Sequence, residues 1–212
     1  MKIINPTVEI MSPIRPDLLQ FIEQCGRVCY KSEDKITEDS AEKFVAMIIK
    51  NGHESVLEHY SITVKFIVDR GISHEIVRHR IGSYNQESTR YCNYGNKEIE
   101  FISPYVQGSL GQDLFKCAVE EAEQDYKHLI ENGDTPQMAR SILPNALKTE
   151  IICTYNLREW RHVLKLRCSY NAHPQMRQVM IRILRYFKAH MPVIFSDIPE
   201  GPECKLPIAD ME

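Results

Sequence analysis

Arg78-His79-Arg80 is followed, after Ile81 to Asn85, by Gln86-Glu87-Ser88-Thr89-Arg90, so four side chains able to carry positive charge lie within thirteen residues. Like charges at that density repel, and in a folded chain they either point to water or converge on an anion. Arginine suits the second task because its planar fork matches phosphate oxygens and stays charged. The run follows an apolar strand pattern rather than sitting in a tail, which turns the reading toward an anion site. The whole chain carries a formal charge of −3. The patch is therefore local, and it fits a small anionic ligand better than nucleic acid, whose general binders are strongly basic. Neither G-x-G-x-x-G nor a Walker glycine loop occurs, so phosphates would be held by side chains.

Two other sets of residues bear on chemistry. His53 and His59 flank Glu54-Ser55-Val56-Leu57-Glu58, six apart rather than the four that would put both imidazoles on one helical face toward a metal. A polar loop between a helix and a strand is the expectation, with no metal site. The seven cysteines, at 25, 29, 92, 117, 153, 168 and 204, are odd in number and follow no repeat. Mostly buried free thiols in a reducing compartment are expected, with no disulfide framework or zinc ribbon.

The elements that must position these residues follow from periodicity. Residues 2 to 10 read as a strand, Arg15 to Tyr30 as a helix with Leu18, Leu19, Ile22 and Cys25 on one face, and 38 to 50 as a second helix striped by Ala41, Phe44, Val45, Ile48 and Ile49. From Tyr60 to Val68 apolar and polar residues alternate, as in a half-buried strand. Gly71 should break it, and a short helix then carries the chain to Arg78. After a loop from Pro104 to Gly111, residues 112 to 131 form the longest helix, with Leu114, Phe115, Ala118, Val119, Ala122, Tyr126 and Leu129 in register and Asn132-Gly133 as its stop. Thr135-Pro136 opens a short helix that Pro144 ends, and Lys148 to Tyr155 reads as a strand. Asn156, with Glu159 three residues on, opens a helix to about Arg167, and Pro174 opens the last one, with an irregular tail after Met191. At 212 residues, with no linker or repeat, the chain is expected to be one α+β domain spanning 1–212. No apolar run reaches the ~20 residues of a bilayer span, and the N-terminus lacks a signal-peptide core, so a cytoplasmic protein without membrane partners is expected.

Arg78-His79-Arg80 with Ser88 after seven further residues resembles the R-H-R-x7-S signature of the flavin-dependent thymidylate synthases. Asn51-Gly52-His53-Glu54-Ser55 with Glu58-His59 is similar to that family's G-H-x-[ST]…E-H segment, and Ala139-Arg140-Ser141-Ile142-Leu143-Pro144 to its A-R-x-x-L-P element. Asn156-Leu157-Arg158, Leu166-Arg167 and His173-Pro174-Gln175 resemble its N-x-R…L-R…H-x-Q stretch. The four blocks occur in order over residues 51 to 180.

The resemblance implies an α/β (α+β) fold with a mixed or antiparallel sheet packed with helices. It also implies conversion of dUMP to dTMP, with 5,10-methylenetetrahydrofolate as carbon donor, FAD carrying a hydride and NADPH as reductant. By position it implies cofactor contacts from His53, Ser55, Arg78, His79, Arg80, Gln86, Asn156, Leu157, Arg158 and His162. Substrate contacts would come from Glu75, Arg78, Gln86, Glu87, Ser88, Thr89, Arg90, Arg140 and Arg167. Arg167 and Ser88 would be catalytic, Arg167 by favouring the N3-deprotonated uracil through its charge. A homotetramer with shared active sites is implied too. Two positions depart from the family pattern: Gln86 stands where glutamate is common, and Glu75 where glutamine is frequent. Arg167 to His173 is two residues longer than in some relatives. Read without the family, Asn156 is as readily a plain helix cap, and Arg140 and Arg167 are surface arginines or partners of Glu150 and nearby acids. The rival functions are a related flavin enzyme methylating or hydroxymethylating another pyrimidine nucleotide, and a non-catalytic nucleotide- or RNA-binding module.

Overall fold

The computed structural model describes residues 1–106 and 108–202. The expected first strand is split at Pro6, which has no N–H to donate to a ladder. Its halves, β1 (Lys2–Ile4) and β2 (Thr7–Ile10), join different sheets. Helix α1 (Leu18–Arg27) is shorter than its apolar stripe suggested and runs on into a 3-10 turn, Val28–Tyr30, closed by Lys31 in the left-handed region. Helix α2 (Ser40–Lys50) buries Ala41, Val45 and Ile48. The segment read as a polar loop is instead a 3-10 helix, Glu54–His59, anchored by buried Val56 and Leu57.

Strand β3 (Ser61–Asp69) keeps the alternation read from its sequence, with Ile62, Val64, Phe66 and Val68 buried. Gly71 does not end it. The turn comes two residues earlier, where Asp69 Oδ1 accepts from Ile72 N at 2.6 Å and caps α3 (Arg70–Ile76). Beyond the basic triplet lies a strand the sequence did not advertise, β4 (Ser83–Gln86), whose Ser-Tyr-Asn-Gln composition shows no apolar alternation. Then come β5 (Glu100–Ile102), α4 (Gly108–Glu131), α5 (Pro136–Ala139) and β6 (Lys148–Asn156). Among the described residues α4 buries Val119, Glu123 and Tyr126, with Phe115, Leu129 and Ile130 partly buried beside them. Leu114 and Ala118, placed on the buried stripe by period alone, are exposed.

Helices α6 (Leu157–Arg167) and α7 (Pro174–His190) follow as expected, and the tail adds α8 (Pro192–Phe195), which buries Ile194 and Phe195 where irregular chain was expected. The central sheet is antiparallel in the order β2-β3-β6-β4, and β1 pairs in parallel with β5 in a second small sheet. The larger core lies between the central sheet and α1, α2, α6, α7 and α8, and a smaller one gathers Ile99, Phe101, Val119, Tyr126, Ala139 and Leu147. Of the six cysteines in the described residues only Cys153 and Cys168 are buried, and all six are free thiols; Cys204 lies outside that range.

Candidate active site

The site begins with Gly82. A methyl group there would press into the ring of Tyr155 and stand 3.0 Å from the Thr154 carbonyl, so only glycine lets the chain after Arg80 lie against β6. Tyr155 is held from below by Trp160, edge to face at 4.8 Å between ring centres, and Trp160 Nε1 donates to the Ile62 carbonyl at 3.0 Å. Tyr84, on β4, donates to the His79 carbonyl and meets Tyr155 Oη at 3.0 Å. The basic triplet thus lies over a rigid aromatic floor, with β4 as a spacer of about 10 Å between it and Glu87, from the usual strand rise.

At one end of that spacer, His79 is buried while Arg78 and Arg80 are exposed. Neither arginine has an ion pair or side-chain hydrogen bond among the described residues. Arg167, at the last position of α6, donates from Nε to His79 Nε2 at 3.0 Å, from Nη1 to Glu75 Oε2 at 2.8 Å and from Nη2 to the Glu75 carbonyl at 3.2 Å. Of the five N–H bonds of a guanidinium, one on each terminal nitrogen remains to donate elsewhere. Burial, then the Arg167 charge, then His162 lower the His79 pKa to about 4. The imidazole is therefore neutral at pH 7, accepts at Nε2 and carries its proton on Nδ1.

Beside this pair opens a cleft of about 440 Å³ lined by Glu54, Glu58, Ile81, Asn156, Arg158, Glu159, His162 and Lys165. Asn156 caps α6, its Oδ1 accepting from Glu159 N at 2.8 Å, and also faces the cleft. Arg158 and His162 share that face, as their spacing of four implies, although Arg158 is engaged by Glu58 at 2.5 Å. His53 and Ser55 are exposed on the 3-10 segment tied to α6 by Glu54 and Arg161, 3.0 Å apart. Leu157 opens α6 with its side chain fully buried in the main core, so any cofactor contact from it would be made by its backbone.

At the other end of the spacer, Arg140 Nη1 donates to the buried Thr89 hydroxyl at 3.4 Å and Arg90 Nε donates to Gln137 Oε1 at 3.1 Å. The Ser88 hydroxyl accepts from Arg90 N at 3.3 Å. Neutral partners orient these two arginines without offsetting their charge. Glu87 and Gln86 are occupied within the fold. Glu87 accepts from Tyr94 Oη at 2.8 Å and pairs with Lys148 at 3.4 Å, and Gln86 Nε2 donates to Ser73 Oγ at 2.8 Å and Thr149 Oγ1 at 3.2 Å. Glu150, the acid considered for Arg140 or Arg167, pairs instead with Lys65 and Lys148.

One further group has ligand chemistry. His79, Glu159 and His162 offer donor atoms within 4.8 Å of one another. A metal there would have to displace the proton that neutral His79 carries on Nδ1. Glu159 is the residue that sequence reasoning passed over, because a glutamate three residues after a cap reads as the second half of a capping box. In the fold its carboxylate leaves Asn156 N alone and turns to His79, with Oε1 3.7 Å from Nδ1.

Residues 12–193 match the family described as thymidylate synthase complementing protein, Thy1. The chain is 34% identical over 201 residues to a flavin-dependent thymidylate synthase of Geobacter sulfurreducens, covering 89% of this chain and 84% of that protein. Against the flavin-dependent thymidylate synthase of Corynebacterium diphtheriae it is 33% identical over 195 residues, covering 83% and 77%. A crystal structure of the UMP/dUMP methylase PolB from Streptomyces cacaoi, bound with 5-Br dUMP, superposes with a TM-score of 0.76 at 25% identity, covering 92% of this chain and 96% of that one.

Proposed function

This chain belongs to the Thy1 family of thymidylate synthase complementing proteins, and from that premise we propose that it is a flavin-dependent methyltransferase converting dUMP to dTMP. The observation that carries the reading is the division among its arginines. Among the described residues Arg15, Arg27, Arg158, Arg161, Arg167 and Arg185 each pair with a carboxylate, whereas Arg78, Arg80, Arg90 and Arg140 do not; Arg70, at the start of α3, and Arg182, on α7, also lack one. Arg78 with Arg80 and Arg90 with Arg140 form two such pairs, one at each end of β4, and on a chain of net charge −3 they are the chemistry of two phosphate-bearing ligands.

The first pair suits the diphosphate of FAD. Arg78 and Arg80 supply fixed charge without competing acids, and Asn156, Arg158 and His162 line the adjoining cleft. His53 and Ser55 belong to the same reading, on the neighbouring 3-10 segment. When bound, the flavin supplies the hydride that completes the methyl group. The second pair suits the phosphate of dUMP, with Ser88 and Thr89 as hydroxyl partners. Each charge-assisted bond there contributes roughly 1.5–3 kcal/mol.

Arg167 acts on the base. Its two uncommitted N–H bonds hold positive charge where the uracil anion forms, which favours loss of the N3 proton and raises electron density at C5. No covalent cysteine adduct is needed, in keeping with the burial that pushes the Cys153 and Cys168 thiols up to about 12. Glu75 offsets part of that charge while holding the guanidinium in place.

The finer parts of the reading are 5,10-methylenetetrahydrofolate as carbon donor, NADPH as reductant and one catalytic domain over residues 1–212. A homotetramer with shared active sites belongs to the same proposal and rests on the family resemblance, while the β4 spacer sets the distance from the first arginine pair to the second. A cytoplasmic location belongs to the same proposal; among the described residues no helix is long and apolar enough to cross a membrane. The test is tritium release from 5-tritiated dUMP in the presence of FAD, NADPH and methylenetetrahydrofolate. Release with matching dTMP formation is expected, and none under saturating cofactors refutes the proposal.

A further inference from the structure

We propose that Glu159 is a positioning residue for Arg167, acting through His79: its carboxylate keeps the imidazole proton on Nδ1, so that Nε2 accepts from the arginine. The inference rests on the assignment of Arg167 to the uracil, and the geometry behind it is independent of that assignment. The arginine Nε–H can only donate, so its 3.0 Å bond to His79 requires a lone pair on Nε2. In a neutral imidazole the proton must then sit on Nδ1, and Nδ1 faces Glu159 Oε1 at 3.7 Å. That distance is too long for a hydrogen bond. In a buried setting it still lets a carboxylate stabilise the N–H dipole pointed at it. The two constraints, one from each side of the ring, select the same tautomer.

Besides His79, Glu159 has one other titratable neighbour among the described residues, His162, whose charge works against the burial that raises the Glu159 pKa. It is buried, its side chain accepts no hydrogen bond among the described residues, and the capping-box bond open to it at Asn156 N is not made. Among the described residues, the groups facing His79 are Glu159, His162 and Arg167 from α6, Tyr155 from β6, and Tyr84 from β4 at its backbone carbonyl. Glu159 is the only carboxylate among them. The chain of contacts is therefore Glu159 to His79 to Arg167 to Glu75, with the arginine clamped at both ends. A carboxylate that orients a histidine acting on a third group follows the same logic as carboxylate–histidine pairs behind metals and nucleophiles. Its loss would let the proton move to Nε2, where it would oppose the arginine N–H.

The experiment uses flavin-loaded enzyme labelled with 15N-histidine, read by long-range proton–nitrogen correlation, with the His79 signals assigned by their loss in His79→Gln. Wild type should show the Nδ1–H form. Glu159→Ala should move His79 toward the Nε2–H form and lower kcat roughly tenfold, with flavin content kept. Glu159→Gln, whose amide oxygen can face Nδ1, should restore the wild-type tautomer and most of kcat. A wild-type His79 protonated on Nε2 overturns the proposal, as does an unchanged tautomer in Glu159→Ala or an altered tautomer with unchanged kcat. If Glu159→Ala does not fold, the wild-type tautomer and Glu159→Gln still decide the matter. Wild type that makes no dTMP would sink the proposed function instead, a result the tautomer measurement does not depend on.

Discussion

His79 should make the protein acid-sensitive in a defined window. An unfolded histidine titrates near 6.5, whereas burial and the neighbouring Arg167 lower the folded value to about 4. The unfolded chain thus binds the proton more readily. The contribution of neutral His79 is complete above pH 6.5, falls as the pH drops through the interval, and levels off below about 4. At 1.36 kcal/mol per pKa unit the full effect is roughly 3 kcal/mol, of which about 2 kcal/mol falls between pH 7 and pH 5. His79→Gln keeps an acceptor for Arg167 and removes the titration. Urea unfolding of both proteins, at equal concentration and at pH 7 and pH 5, isolates the difference, because every other titrating group is common to the pair. Wild type should lose about 2 kcal/mol more than the variant across that range. Equal losses would mean that His79 is not held neutral, and the tautomer argument built on it would fail.

Three other outcomes follow from particular contacts. Arg167→Ala should lower dTMP formation by roughly 10²–10³-fold, the usual cost of one group stabilising a developing anion; unchanged turnover, with flavin absorbance retained, would remove the arginine from the chemistry. Gly82→Ala should cost about 1–3 kcal/mol, since the new methyl meets the buried Tyr155 ring and the Thr154 carbonyl; an unshifted thermal midpoint would contradict the packing. Asp197→Ala removes both 2.8 Å bonds to the buried Arg161 guanidinium while leaving Glu54 and the Ile194 carbonyl as partners. A loss of roughly 2 kcal/mol in denaturant unfolding is expected, and a neutral result would show that Glu54 alone satisfies the arginine.

Much of this protein was legible in its residues because local chemistry decided it. The alternation from Ile62 to Val68 specified β3, and Asn156 with the apolar period after it specified the start of α6. The spacing of Arg158 and His162 placed both on one cleft. The family blocks point to the reaction without the fold. What stayed hidden depended on partners distant in the chain. Strand β4 is polar and takes its conformation from pairing with β6, which no local propensity reveals. The start of α4 has a helical apolar stripe, yet Leu114 and Ala118 are exposed, because burial depends on what packs against a face. The arginines divide into paired and unpaired only through their neighbours in space, since Glu75 and Arg167 meet across 92 residues. Glu159 illustrates the limit most clearly. Its position in sequence specified a capping residue. Its place in the fold, 3.7 Å from a buried neutral imidazole, made it the carboxylate behind Arg167, because the field at a side chain is set by tertiary neighbours and not by those along the chain.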